Sequence, residues 1–293
     1  MSRAAIAALI LTKNEEADLP GCLESLRGLA DEVFVIDSGS TDRTVEIAES
    51  FGAVVLTHPF ENQARQTNWA IENVTARAAW MIRIDADERV TPELRQSLVS
   101  SIQACGDGVN GFLIARRTFF LGKRLRFGGT FPVWLLRVWR RGAATCENRW
   151  MDEHMVVHSG AILKAQGELD HLIPKDIADW SRKHVSYAQR ECLDVWTTAA
   201  ETVNSGGQAA LRRKAKNGLY YRLPPLWRAL GYMSFRYFLQ LGFLDGSIGF
   251  IYHFLQAGWY RVLVDSLLLE GQRRAQAREK QAGLPSPVRG GSK

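Results

Sequence analysis

Residues 81–89, Met-Ile-Arg-Ile-Asp-Ala-Asp-Glu-Arg, place three carboxylates, Asp85, Asp87 and Glu88, behind an apolar run broken only by Arg83. Such a run ending in turn-forming acids reads as a buried strand emptying its charge at its C-terminal end. In an open α/β sheet that edge is where ligands bind. Side chains alternate along a strand, so Asp85 and Asp87 are expected on one side of it. Two carboxylates so placed repel unless a cation sits between them. A divalent ion carrying a nucleotide diphosphate suits that arrangement, because hard cations take carboxylate, phosphate and water oxygens. The plainer alternative for a lone D-x-D is a strand-to-turn junction with solvated acids.

The elements around this stretch decide between the two. Residues 4–11 are a charge-free apolar run that predicts a first buried strand. Leu19, Cys22, Leu23, Leu26 and Leu29 recur at helical spacing across 18–29. A second strand over 33–36 runs into Asp37-Ser-Gly-Ser-Thr-Asp, and the helix that follows, marked by Val45, Ile47, Ala48 and Phe51, is one that Ser40 or Thr41 would cap. Residues 53–56 predict a third strand and 62–73 a third helix. Strand alternating with helix implies parallel βαβ units in a doubly wound sheet, with Asp37 and Asp85 on one rim.

Composition adds bounds. The 293 residues are 46% apolar with a formal charge of +6, which favours anionic partners. The four cysteines (Cys22, Cys105, Cys146, Cys192) match no zinc or redox spacing and read as reduced structural thiols. The N-terminus, Met-Ser-Arg-Ala-Ala-Ile, has no cleavable-signal layout. No Ser/His/Asp nucleophile motif and no glycine-rich P-loop is present.

Taken together, Thr12-Lys-Asn-Glu-Glu, Val35-Ile-Asp-Ser-Gly-Ser-Thr-Asp, Gln63…Asn68 and Ile84-Asp-Ala-Asp-Glu resemble the inverting family-2 glycosyltransferases of GT-A fold. Within them the chain is similar to the bacterial subgroup that builds lipopolysaccharide core and surface polysaccharides, including core β-1,4-glucosyltransferases. The likeness is dense over residues 4–102 and thinner over 111–141 and 152–171. It implies that Thr12 and Glu15 line a nucleotide pocket, that Asp37 binds base or ribose, and that Arg65 reaches the diphosphate. Many relatives have two adjacent acids where this chain has Asp37-Ser38. The likeness further implies that Asp85 and Asp87 bind Mg²⁺ or Mn²⁺, with Asp87 the direct ligand, and that His171 lies near the metal. An inverting transfer needs a base for the acceptor hydroxyl; Glu153 aligns with that acid, and Asp152 is the other candidate.

Between residues 108 and 146 there is no acid and eight basic residues interleaved with aromatics, a surface suited to a phosphorylated or lipid-linked acceptor. Basic residues with aromatics also fit nucleic acid, but no helix-turn-helix, zinc finger or RNA-binding signature accompanies them. Arg212, Arg213, Lys214, Lys216, Arg222, Arg228 and Arg236 then precede an aromatic-rich stretch reaching residue 269. Its longest uncharged run, 246–260, is too short to cross a bilayer, so interfacial helices are expected, with Trp227, Tyr232, Phe235, Tyr237, Trp259 and Tyr260 at an anionic membrane surface. The expected organisation is an α/β GT-A domain over 1–175 (nucleotide-sugar half 1–105, acceptor half 106–175), a helical membrane-associating region over 176–270 and a polar, disordered tail over 271–293. The function expected is hexose transfer, with glucose from a UDP-sugar, onto a lipopolysaccharide-core or lipid-linked saccharide at the cytoplasmic side of a bacterial inner membrane, with a homo-oligomer possible. A nucleotidyltransferase and a non-catalytic basic membrane adaptor are the alternatives.

Overall fold

The computed structural model describes residues 5–151, 153–173, 176–197, 220 and 223–281. Its first half follows the predicted alternation: β1 (Ile6–Thr12), α1 (Leu19–Leu26), β2 (Glu32–Asp37), α2 (Thr44–Ser50), β3 (Val54–Thr57), α3 (Gln63–Asn73) and β4 (Trp80–Asp85). β1 lies between β2 and β4, parallel to both, and β3 pairs with β2. Ala7, Ala8, Leu9 and Ile10 are all buried because helices cover both faces, which is why that strand reads as continuous apolar rather than alternating. α1 packs on one face with Leu19, Cys22, Leu23 and Leu26, and α3 on the other with Ala64 and Ala70.

Two local expectations change. Ser40 and Thr41 do not cap α2; Asp42 instead accepts from the Thr44 N–H at 3.0 Å, while the Ser40 N–H turns back to Asp37 and the Thr41 N–H to Asn14. Asp87 is not on the strand of Asp85. β4 stops at Asp85, Ala86 and Asp87 form a turn, and β5 (Glu88–Val90) sets off to the far side of the sheet.

The second half is α4 (Pro92–Ala104), β6 (Val109–Phe120), β7 (Lys123–Leu125), β8 (Val133–Arg140), β9 (Ala144–Cys146), β10 (Met155–Val157) and β11 (Ala161–Leu172). The nine-stranded sheet runs β3-β2-β1-β4-β8-β6-β11-β5 with β7 on β6, and β9–β10 form a separate ribbon. The sheet is therefore mixed, not mostly parallel: β8 inserts antiparallel between β4 and β6, and β5 pairs antiparallel with β11. A hairpin explains part of this, since Leu121 and Gly122 both take positive φ in the tight turn that folds β7 onto β6.

The C-terminal region is helical: α5 (Ile177–Thr197), α6 (Trp227–Ser234), α7 (Gly246–His253) and α8 (Tyr260–Gln281), with π-helical turns at Phe235–Leu239 and Phe254–Trp259. α5 packs on α8 through Ala188 and Cys192 against Tyr260, Val264 and Leu268. α8 carries helix through 271–281, in place of the disorder expected there, while 282–293 lie outside the described residues. The α6–α7 hairpin docks on the loop after β7. Asp245 accepts from the Arg126 and Phe127 N–H groups at 3.1 and 3.0 Å, and Arg236 donates to the Gly128 carbonyl at 2.6 Å. Gly128 has φ +67°, and a Cβ there would come within 2.1 Å of the His253 ring, so only glycine fits.

This corrects the membrane-facing assignment of two arginines. Arg228 is buried against Asp265 and Arg236 against Gly128, so neither faces outward. Tyr260 is buried too, its hydroxyl donating to Glu191 at 2.8 Å. Arg212, Arg213, Lys214, Lys216 and Arg222 lie outside the described residues. No single described helix is long and apolar enough to cross a membrane, although Trp227–Leu239 and Gly242–Arg278 pass that test together across a 71° bend.

Candidate active site

The carboxyl ends of β1, β2 and β4 converge with residues of β8, β11 and α5. At the centre, Arg137 donates to Asp85 at 2.7 Å and to Glu88 at 2.6 Å. A register shift between β6 and β8 falls beside Arg137, the kind of bulge that re-aims a side chain. Glu88 is fully buried and also accepts from the Asp85 N–H at 3.0 Å. Burial would push the Asp85 carboxyl up, but Arg137 and then Arg83 overrule it and hold it well below the usual range. For Glu88 burial prevails and the carboxyl sits above its ordinary value despite Arg137.

Arg83, buried on β4, links two candidate groups. Its Nε is 3.6 Å from Asp85 Oδ1 and its Nη2 is 3.2 Å from Glu153 Oε1. The loop carrying Glu153 is tied down on both sides. Asn68 on α3 exchanges two 2.8 Å hydrogen bonds with the Cys146 backbone, and Arg149 pairs with Asp194 of α5. Asp152 lies outside the described residues.

Asp87 meets His171 Nε2 at 3.2 Å. The pairing of β5 with β11 brings them together, since His171 is in register with Glu88 and the Leu172 N–H donates to the Asp87 carbonyl at 2.8 Å. Burial acts to raise the Asp87 carboxyl, yet the neighbouring His171 leaves it below its ordinary value. Asp85 Oδ1 and His171 Nδ1 are buried here with no hydrogen-bond partner among the described residues, as are Arg83 Nε and Arg137 Nε beside them. Among those residues no group of three or more His, Cys, Asp or Glu side chains forms a complete metal cage. That donor set fits Mg²⁺ or Mn²⁺ brought with a nucleotide, because such ions bind through one or two carboxylates and fill their shell with phosphate and water oxygens.

The nucleotide side is a pair of interlocked loops. Thr12 donates to Asp37 at 3.1 Å, and Asp37 also accepts from the Gly39 and Ser40 N–H groups at 2.8 Å each. Gly39 can turn at φ +80° because it has no side chain. Asn14 accepts from the Thr41 N–H at 2.8 Å and the Glu15 N–H donates to Thr44 at 2.8 Å. Much of the Thr-Lys-Asn-Glu-Glu signature therefore stitches one loop to the next. Glu15 is half-buried, and burial, with Asp87 and Asp18 adding to it, pushes its carboxyl up to about 7 against the opposing pull of Lys183. Arg65 is exposed and pairs with Glu61 in the loop just before its helix, so in this structure it is not drawn to the acids of the rim.

Sequence reasoning did not single out Arg137, Lys183 or the buried role of Glu88, and met Arg83 only as a break in an apolar run. Arg83 and Arg137 carry a readable signal, since each interrupts an otherwise apolar run inside its strand. Lys183 carries none. The eight basic residues of 108–146 divide differently from the acceptor surface expected of them. Arg117 and Arg124 pair with Glu168, Arg117 also with Asp170, Lys123 binds the Asp245 carbonyl and Arg141 the Ala76 carbonyl. They join elements, because each sits across from an acid or carbonyl of the next element.

The model of the family described as glycosyl transferase family 2 matches residues 8–163. Over 273 residues, 86% of this chain and 90% of the relative, the sequence is 29% identical to the lipopolysaccharide core biosynthesis glycosyltransferase LpsC of Rhizobium meliloti (strain 1021). An uncharacterized glycosyltransferase of Rickettsia bellii (strain RML369-C) is 42% identical over 93 residues, 32% of this chain and only 31% of that protein's length. Among solved structures, glucosyl-3-phosphoglycerate synthase from Mycobacterium tuberculosis, in complex with Mn²⁺, uridine diphosphate and glucosyl-3-phosphoglycerate, is 24% identical with a TM-score of 0.32, covering 41% of this chain and 44% of that one.

Proposed function

The chain belongs to glycosyl transferase family 2, and from there we propose a metal-dependent inverting hexosyltransferase that moves glucose from UDP-glucose onto a lipopolysaccharide-core or lipid-linked saccharide. The observation that carries this reading is Arg83, whose guanidinium lies between Asp85 at 3.6 Å and Glu153 at 3.2 Å. One group thus spans the candidate donor-side acid and the candidate base. A direct displacement needs that proximity, because the attacking hydroxyl and the leaving diphosphate flank one sugar carbon.

Asp85 and Asp87, with His171 beside them, would hold Mg²⁺ or Mn²⁺, which when bound offsets the negative charge of the departing diphosphate. Glu153 accepts the proton of the acceptor hydroxyl as its oxygen bonds to the anomeric carbon. The bond to the diphosphate breaks on the opposite face, so an α-linked donor gives a β product. Arg83 fixes the direction of the Glu153 carboxylate, and Arg137 holds Asp85 ionised. The likeness to LpsC supports the acceptor class. The exposed apolar residues of the α6–α7 hairpin support work at the cytoplasmic surface of a bacterial inner membrane.

A thermal-shift screen of nucleotide sugars with and without Mn²⁺ tests the donor, since a ligand bound only by the folded state raises Tm by mass action. UDP-glucose with Mn²⁺ is expected to give the largest shift. If no nucleotide sugar moves Tm, or if NMR of the product shows a retained anomeric configuration, the reading fails.

A further inference from the structure

Lys183 lies beyond the 8–163 stretch that defines the family, on α5, yet it reaches the same rim. Its Nζ is 3.4 Å from Glu15 Oε1, and its side chain keeps 48% of its surface exposed. One turn on, Tyr187 shares that helix face, as residues four apart do. Burial would lower the Lys183 ammonium, but Glu15 in the first place, with Asp87 contributing, leaves it above its ordinary value. Lys183 therefore sits within electrostatic reach of acids at the ends of both β1 and β4.

The charge around it poses a problem for any anionic donor. Glu15, Asp18 and Asp87 gather on this rim, where burial first and then the Asp87 charge push the Glu15 and Asp18 carboxyls up. The other acids have dedicated partners: Asp85 has Arg137 and Arg83, Asp87 has His171, and Asp18 has Arg89 at 3.8 Å. Among the described residues Lys183 has one long contact, to Glu15, and Glu15, at about 7, is only partly ionised near neutral pH. An ammonium carries three donors, so two remain for another acceptor. A lysine is also a suitable point charge for phosphate oxygens.

We propose that Lys183 binds the diphosphate of the donor, so that the C-terminal helical region completes the donor site. This rests on the reading that the donor is a nucleoside diphosphate sugar. The lysine is well positioned for the task. α5 is packed on α8 along one face, and Asp194, three turns further along α5, grips Arg149 of the loop that carries Glu153. α5 thus connects donor and acceptor sides without contributing to the sheet.

The rival role for Lys183 is a tether holding α5 to Glu15, and ligand truncation separates the two. Calorimetric titration of the full-length protein in Mn²⁺ buffer with UDP, UMP and uridine is done on wild type, Lys183→Met and Lys183→Arg. Lys183→Met is expected to weaken UDP about 10- to 100-fold, the worth of one charge-assisted hydrogen bond. Uridine affinity stays the same, and Lys183→Arg recovers most of the loss. Lys183→Gln repeats the measurement should the Met variant fold poorly. Unchanged UDP affinity, or an equal loss for uridine, overturns the assignment. A wild-type protein that binds no UDP overturns the donor reading and this one with it, whereas wild-type binding that survives Lys183→Met removes the lysine alone.

Discussion

Glu153 and Asp87 do different jobs, and their variants are expected to fail differently. Glu153→Gln keeps shape and the contact to Arg83 but removes the base, so turnover is expected to fall about 10²–10⁴-fold while donor affinity stays near wild type. Steady-state kinetics beside UDP titration checks this; a loss carried by Asp152→Asn instead would move the base by one residue. Asp87→Ala removes a carboxylate in a turn, not a packed apolar group, so folding is expected to survive while the Mn²⁺-dependent part of UDP affinity vanishes. Equal UDP affinity for that variant with Mn²⁺ and with EDTA, beside a wild type that distinguishes them, is the expected result. The acids of this site were legible because a charge at the end of an apolar run is conspicuous. The partners of its cations were not: Arg137 stands out in its strand, but it meets Asp85 from 52 residues away, and a pairing set by a bulge leaves no local trace. Lys183 is a solvated helix charge by every local measure.

Secondary elements were legible where hydrophobic period and loop chemistry agreed, and less so where strand pairing was set by distant partners. β1 to β4 and their helices follow from the alternation of apolar runs and turn residues. The insertion of β8 between β4 and β6 does not, because antiparallel and parallel neighbours leave similar apolar patterns in a strand covered on both faces. The hairpin shows the same limit. A stretch read as seven basic residues facing outward contains Arg228 and Arg236, which are internal, and their partners, Asp265 and the Gly128 carbonyl, lie 37 and 108 residues away. Burial, and then Arg236, pushes the His253 imidazole down to about 4. A depressed folded value means the unfolded chain binds a proton that the folded one refuses between about pH 6.5 and 4. Stability from keeping His253 neutral is therefore present above pH 6.5 and lost as pH falls toward 4, by about 3 kcal/mol at the lower end. His253→Leu is expected to be less stable at pH 7.5 but to show a flatter Tm profile. A difference in Tm between the two that is constant from pH 7.5 to 4.5 would remove His253 as the source.

At the scale of the whole molecule, the docked hairpin fixes an apolar surface relative to the acceptor half. Trp227 is 73% exposed, Phe238 61% and Leu239 75%, with Leu230, Phe235, Phe243, Leu244, Phe250 and Phe254 also exposed nearby in sequence. An isolated apolar side chain on a surface is ordinary, but a run of this size marks an interaction site. Two occupants compete for it: a lipid surface and a second copy of the chain. With Arg228 and Arg236 internal, the described part of the hairpin offers apolar and aromatic burial more than charge, so attachment to lipid is expected to be only partly released by salt. The protein is expected to pellet with vesicles containing anionic lipid, to remain largely bound at high ionic strength, and to lose binding in the double variant Phe238→Glu, Leu239→Glu. That variant should keep UDP affinity, because the hairpin meets the loop after β7 and not the donor rim. If the wild type stays in the supernatant and runs as a dimer that the same variant splits, the surface joins two copies and the membrane reading falls.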